Sequence, residues 1–321
     1  MRLEKPIILV HGGAGSFERL GKQDLDRYRK CLEDATTNGY EVLANGSALD
    51  AVTEAVRTME DCEVMNAGVG SVLNLLGDIE MDAGIMDGSL FRAAGVALIR
   101  RIRNPILLAR VVLEKTDHVL LAGKFAEELG FKYGLKPLDK VHVMWKRKKH
   151  KELFKEFLSG KGFKHLSRIR ELIKDLNIKF HDTVGAVALD REGNLASATS
   201  TGGYWLKLPG RIGDSPVVGA GFYANKYAAA SATGIGEYIL MTMLCLRAVE
   251  YVEKGLHANV ASQKAIKHIT EIYGENTAGI IVIDNLGYIG ASFNTKGMGR
   301  GVMAKNLSSV KTAVYRNEEL I

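Results

Sequence analysis

Apolar positions along the 321-residue chain fall into short uninterrupted runs and longer stripes at helical spacing. Residues 5–10, KPIILV, form a continuous run that predicts a buried strand entering a glycine-rich turn, HGGAG, at 11–15. Apolar residues three and four apart predict helices over 25–43 and 47–59, the second with Ser47 as its N-cap. Residues 66–95 are rich in glycine and small side chains, consistent with strands joined by tight turns. Asn104-Pro105 opens a helix that runs to Glu114, because proline suits the first helical position. A strand at 118–121 and a short helix at 125–129 follow. The second half repeats this grammar. Strands are expected at 183–189, 195–200, 217–223 and 228–232, helices at 236–254 and 258–273, then strands at 278–284, 288–294 and 310–315. Helices grouped between blocks of strands predict two sheets packed face to face with helices outside, an α+β fold in one structural domain. No period of 20–50 residues recurs, so a solenoid is excluded.

The pattern breaks at FHDTVGAV, residues 180–187, where a core strand starts at Thr183 directly after the least ordered-looking stretch of the chain. That stretch also carries the charge. The net charge is +6, but residues 146–180 hold 12 Lys/Arg and 4 Asp/Glu, a net of +8 that leaves the rest at −2. Locating the charge therefore removes most of the case for a nucleic-acid partner, since an isolated basic run is usually an exposed linker. A polyanion site in that segment is the lesser alternative. The longest apolar run, YILMTMLCL at 238–246, is too short to span a bilayer. The start, MRLEKPIILVHGG, lacks the apolar length of a secretory signal. Cys31, Cys62 and Cys245 are odd in number and widely spaced, which predicts no disulfide framework and a cytoplasmic default.

Familiar cofactor motifs do not hold up. VVGAGFYA at 217–224 partly fits a dinucleotide loop, but no helix follows to receive the pyrophosphate. There is no GxSxG elbow and no P-loop, and the eight histidines show no metal spacing. What remains is a set of small polar residues around Thr183. Thr199-Ser200-Thr201-Gly202-Gly203 ends a strand one hairpin away, Arg211 and Asp214 share the loop LPGRIGDSP, and Thr233-Gly234 lies in ATGIGE. Hydroxyls at strand ends often only cap turns. Four such groups together, with an Arg and an Asp three apart, favour chemistry. A threonine hydroxyl needs a base beside it, and one solution is the threonine's own α-amine. With a pKa of about 7.7–8.0, that amine has a useful neutral fraction near pH 7. It exists only at a chain start, so a strand beginning at Thr183 behind an exposed segment suits a chain that cuts itself there.

HDTVGAVALDREGNLASATSTGG, KLPGRIGDSPVVGAGFYA and ATGIGE resemble the plant-type asparaginases, or isoaspartyl peptidases, of the N-terminal nucleophile hydrolases. HGGAG, NAGVGS at 66–71 and MDAGIMDG at 81–88 are similar to that family too, so the resemblance spans nearly the whole chain. It implies a four-layer αββα sandwich and self-cleavage into 1–182, ending in a basic linker over about 142–182, and 183–321. It also implies a dimer of such cut pairs, acting on L-asparagine and β-aspartyl dipeptides with no catalytic cofactor.

Carried over by position, Thr183 is the nucleophile and Thr201 orients it. Arg211 grips the substrate α-carboxylate and Asp214 its α-ammonium, while Thr233 and Gly234 form the oxyanion hole. Asn66 lies near the scissile bond between Asp182 and Thr183. A structural sodium ion is implied on backbone carbonyls near Met59, Glu60, Cys62, Met65, Ala67 and Val69. The chain departs from the plant type at Asp182, where glycine is usual, and in this it is similar to glycosylasparaginases. TGIGE and HGGAG side with the plant type. Two other functions stand beside this one: a glycosylasparaginase-like amidase, and an uncut precursor-like protein that binds ligands or polyanions.

Overall fold

The computed structural model describes residues 2–17, 21–139, 141, 146–158 and 183–321. Twelve strands among them form two sheets. The larger has the order β12-β11-β1-β5-β6-β2-β3-β4, and the smaller β10-β9-β8-β7. Here β1 is Ile7–Gly15, β2 Met81–Asp87, β3 Arg92–Ile99, β4 Leu120–Ala122, β5 Val184–Leu189 and β6 Leu195–Thr201. The remaining strands are β7 Phe222–Ala224, β8 Ala228–Gly234, β9 Ala278–Asp284, β10 Ile289–Phe293, β11 Gly297–Ala304 and β12 Lys311–Tyr315.

Strand alternation divides the core. Ile8 and Val10 of β1 pack with helices α1 (Lys22–Asn45), α2 (Ala48–Glu60) and α3 (Pro105–Lys115). Ile7 and Leu9 turn the other way, into a cluster with Phe222, Ile281 and Ile283 from the smaller sheet. On the far face of β8 and β9, Ala230, Ile280 and Val282 pack with α6 (Gly236–Thr242), α7 (Leu244–Glu253) and α8 (Ala258–Tyr273). Two further helices are the short α4 (Gly123–Lys132) and α5 (Lys146–Leu158).

Local signals in the sequence survive where they carry their own physics. Ser47 caps α2: its hydroxyl accepts the Asp50 N–H at 3.1 Å, and Asp50 accepts the Ser47 N–H in return. Pro105 opens α3 as expected. Elsewhere tertiary contacts overrule the pattern. HGGAG is not a turn; it continues β1 through a bulge between His11 and Gly13. Strand β11 is absent from the sequence reading because its glycines look like turns. They are there to let α1 approach: a Cβ on Gly299 would lie 2.1 Å from the Tyr28 hydroxyl, and one on Gly301 2.2 Å from Thr36 Oγ1. The strand expected at 217–223 shrinks to β7, since Asp214 and Val217 carbonyls close tight turns ahead of it. The long helix expected at 236–254 breaks at Met243, with φ 46°, where the carbonyls of Gly219 and Ala220 take the N–H groups of Leu246 and Cys245.

Two expectations fail outright. Cys31 and Cys62 form a disulfide that ties α1 to the loop after α2, leaving only buried Cys245 free. Two cysteines 31 residues apart in sequence meet because α1 and α2 are an antiparallel pair, which spacing alone could not show. The cysteine-based ground for a cytoplasmic location goes with it. Secondly, the basic segment is not all linker, because α5 occupies its first part and docks on the body through Lys146, which is 2% exposed. The rest of the expected linker, with Asp182, lies outside the described residues. Among the described residues, no helix is long and apolar enough to cross a membrane.

The disulfide predicts a measurable loss on reduction. Closing a loop of this size typically contributes about 2–4 kcal/mol, which for a chain this long is roughly 3–6 °C of melting temperature. A thermal melt with and without dithiothreitol, repeated on Cys31→Ala, should show this shift once and not twice.

Candidate active site

Thr183 stands immediately before β5, one residue beyond the Val184–Ser200 pair of the β5–β6 ladder. That register sets it across from Thr201, and its hydroxyl donates to Thr201 Oγ1 at 3.2 Å. Thr201 Oγ1 also accepts the Gly203 N–H at 2.9 Å, which fixes its rotamer. Thr183 is 5% exposed. The ladder therefore aims the hydroxyl without any loop to relax it.

Beneath this pair lies a contact that explains the glycine of DTVG. Gly185 pairs with His11 across β1, and a Cβ there would sit 2.1 Å from Ser231 Oγ and 2.4 Å from His11 Nε2. The space is taken by a hydrogen bond between His11 Nε2 and Ser231 Oγ at 3.0 Å. Burial drives the imidazole down to about 3, opposed only in part by the Thr183 backbone carbonyl, so it is neutral at any working pH. A larger residue at 185 would push β5 off β1.

Asn66 lies beside Thr201. Its side-chain amide donates to the Gly203 carbonyl at 2.6 Å, its Oδ1 accepts Val72 N–H, and its backbone carbonyl accepts Gly202 N–H. Behind Ser200, the Glu60 carboxyl is fully buried and accepts the Ser200 hydroxyl at 2.6 Å and the Ile106 N–H at 2.9 Å. Burial raises it to about 8, so it is mostly protonated at neutral pH.

Arg211 and Asp214 come together as their spacing suggested. A Cβ on Gly236 would lie 2.5 Å from Arg211 Nη2 and 2.9 Å from Asp214 Oδ1, which places both groups against the start of α6. Two further residues hold the guanidinium. Glu237 takes Arg211 Nε at 2.9 Å and Nη2 at 3.0 Å, and the ring of Tyr204 lies under its carbon at 4.4 Å. Burial alone would weaken the charge on Arg211, but Glu237 outweighs it. Asp214 is 3% exposed, and its Oδ2 has no hydrogen-bond partner among the described residues. Burial lifts this carboxyl to about 7, with Arg211 opposing. A buried orphan carboxylate oxygen beside a fixed guanidinium is suited to a ligand that carries both charges.

Thr233 and Gly234 end β8. Thr233 Oγ1 accepts the Ala14 N–H at 3.2 Å, so its own proton is available to another acceptor. Gly234 has φ 137°, a conformation that favours glycine, and a Cβ there would meet the Thr277 carbonyl at 2.3 Å. The pair belongs to the smaller sheet and is tied to the larger one by that Ala14 N–H, on β1, the strand that pairs with β5. The carbonyls expected to hold sodium are largely in use. Met59, Cys62, Met65 and Ala67 accept backbone N–H groups, and Val69 accepts Lys146 Nζ at 2.6 Å.

Sequence reasoning missed His11 as a side chain, Tyr204, Glu237 and Lys146. Of these only Glu237 gave a signal, as the acid closing ATGIGE.

Known proteins resemble the chain over most of its length. A family model described as asparaginase matches residues 4–312. The chain is 44% identical over 296 residues to a plant-type L-asparaginase of Pyrobaculum calidifontis, covering 92% of this chain and 95% of the relative. It is 38% identical to an isoaspartyl peptidase of Salmonella typhimurium, over 93% of this chain and 95% of that one. It is 43% identical to an isoaspartyl peptidase/L-asparaginase of Mus musculus, over 88% and 82%. On that match, which extends over nearly its whole length, the chain belongs to this asparaginase family and is a hydrolase.

Proposed function

We propose that this enzyme hydrolyses the side-chain amide of L-asparagine and the isopeptide bond of β-aspartyl dipeptides, with Thr183 as an N-terminal nucleophile released by self-cleavage. The observation that carries this is the Thr183 Oγ1–Thr201 Oγ1 hydrogen bond at 3.2 Å, at the head of a strand held on both sides. The names of the relatives support the substrate class. In cleavage of the chain, Thr183 Oγ attacks the Asp182 carbonyl, the bond to nitrogen breaks, and water opens the resulting ester. The α-amine so freed then takes the hydroxyl proton of Thr183 when it attacks the substrate carbonyl. Thr233 hydroxyl and Gly234 N–H donate to the oxyanion, ammonia or an amino acid leaves, and water releases aspartate from the acyl-threonine. Arg211 receives the substrate α-carboxylate and Asp214 the α-ammonium. Glu237 occupies the Nε edge of the guanidinium, which turns the Nη1 side towards substrate. The layered cores support a four-layer αββα sandwich, and the family resemblance a dimer of cut pairs.

Incubation should convert the 35.0 kDa chain into fragments of roughly 20 and 15 kDa on a denaturing gel. Thr183→Ala should remain a single band; cleavage of that variant at the same bond would remove the nucleophile assignment. A wild-type chain that stays whole would favour the precursor-like alternative.

Arg211→Ala should lower kcat/KM for asparagine at least ~30-fold, on the scale of about 2–5 kcal/mol for one partner of a buried charged contact. Arg211→Lys should recover only part, since an ammonium lacks the planar fork. Glu237→Ala should raise KM about tenfold while kcat holds within a few-fold, because the half-exposed Glu237 only aims the guanidinium. Steady-state kinetics on asparagine, N-acetylasparagine and the α-amide of asparagine would test the set: undiminished turnover of the acetylated substrate by the wild type would remove Asp214 from the clamp, and undiminished turnover of the α-amide would remove Arg211.

The same clamp has a pH signature. Asp214 attracts the substrate ammonium only when ionised, and burial lifts its pKa to about 7. KM should therefore rise as pH falls through about 7, and Asp214→Asn should have a high KM with little dependence over that range. A wild-type KM that is flat from pH 6 to 8 would contradict the role given to Asp214.

A further inference from the structure

Helix α5 carries one docked face among otherwise exposed basic residues. Arg147, Lys148, Lys149, Lys151 and Lys155 are exposed, whereas Lys146 and Leu153 are buried and His150 and Phe154 partly so. These four lie at 146, 150, 153 and 154, one side of a helix. Lys146 Nζ donates to the carbonyls of Val69 at 2.6 Å and Ser71 at 2.7 Å, and one turn on His150 Nε2 meets the Asn74 carbonyl at 3.0 Å. The segment they grip leads from Asn66 and is stitched to the wall of the site. Gly202 N–H goes to Asn66 O, Leu206 N–H to Leu73 O, and Leu75 N–H to Lys207 O. That wall continues through Pro209 to Arg211.

We infer that Lys146 is a positioning residue, a clamp by which the start of the basic segment holds residues 66–75, and through them the Thr201–Arg211 wall, in place. Burial lowers the Lys146 amine to about 7, but a neutral amine still has two hydrogens for the two carbonyls, so the clamp persists through that titration. Nothing in it uses the Asp182–Thr183 bond, so a cut there leaves it intact. The basic composition of this stretch then has two parts: one lysine that is structural, and its exposed neighbours that keep the helix solvated on its outer side.

Hydrogen exchange followed by mass spectrometry on the full chain reads the clamp directly. Lys146→Met should speed exchange at least tenfold in peptides covering 66–77 and 202–208 and leave β9 unchanged, whereas Arg147→Met should speed exchange in none of them. Unchanged exchange over 66–77 would overturn the inference, and so would faster exchange everywhere, β9 included. Should the variant not fold, brief acetylation of the wild type gives the same answer: Lys146 should react at least tenfold more slowly than Lys148 and Lys149, and equal labelling would overturn the clamp. A kinetic arm rests on the proposed amidase function. There, Lys146→Met should raise KM for asparagine about fivefold with kcat within twofold, and an unchanged KM would overturn the link from clamp to wall. Failure of the wild type to hydrolyse asparagine would instead sink the amidase function, leaving the exchange result standing.

Discussion

The register of β5 against β6 is the constraint on which the site depends. Six consecutive residue pairs, from Val184–Ser200 to Leu189–Leu195, leave no freedom for the residue ahead of them. A slip of one residue would point Thr183 to the other face of the sheet and lose Thr201. The register is itself guarded from below, where Gly185 admits the His11–Ser231 hydrogen bond and a methyl group would not fit. Each layer thus fixes the next, from main-chain ladder to side-chain pair to the Thr183 hydroxyl.

Much of this was legible in the chain and some of it was not, for separable reasons. Thr183, Thr201, Arg211, Asp214, Thr233 and Gly234 could be picked out because chemistry-bearing residues lay at strand ends and in short turns with little local need for them. Ser47 and Pro105 announced their helices because capping is a local matter. Glycines misled the reading at HGGAG, where they suggested a turn, and left β11 without a strand signal, whereas their purpose is close packing against α1 and its neighbours. The Cys31–Cys62 bond and the docking of Lys146 escaped altogether. Both join segments whose meeting depends on how α1, α2 and the loop after them lie in space, and no spacing rule encodes that. A lysine within a run of basic residues gives no sign that its own amine is buried.

The electrostatics of the binding wall have a common logic. Lys207 is fully buried with its amine on the Glu80 carbonyl, Asp82 is buried beside it, and Arg211 and Asp214 follow along the same face. Burial pushes each acid upward and each amine downward, so neither Asp82 nor Lys207 is comfortable as an isolated ion. Alternating opposite charges along one wall make the cost bearable. Arg211 is the member with most support, from Glu237 and Tyr204, and Asp214 the one with least, which is the asymmetry expected where a cationic group from outside is to complete the set.

The strand order of the larger sheet bears on what becomes of two pieces severed ahead of Thr183. Strands from before that point and after it are interleaved: β1 lies between β11 and β5, and β2 beside β6. The disulfide lies wholly on the earlier side and would bridge nothing between the pieces. Separation would require stripping a central strand from both neighbours at once, so the fragments would stay locked together for as long as the sheet holds. Once lost, however, the fold would have to be rebuilt by two chains meeting in solution, a second-order process that slows on dilution. Such an enzyme would owe its working life to a high barrier against opening, and heat or denaturant would inactivate it for good.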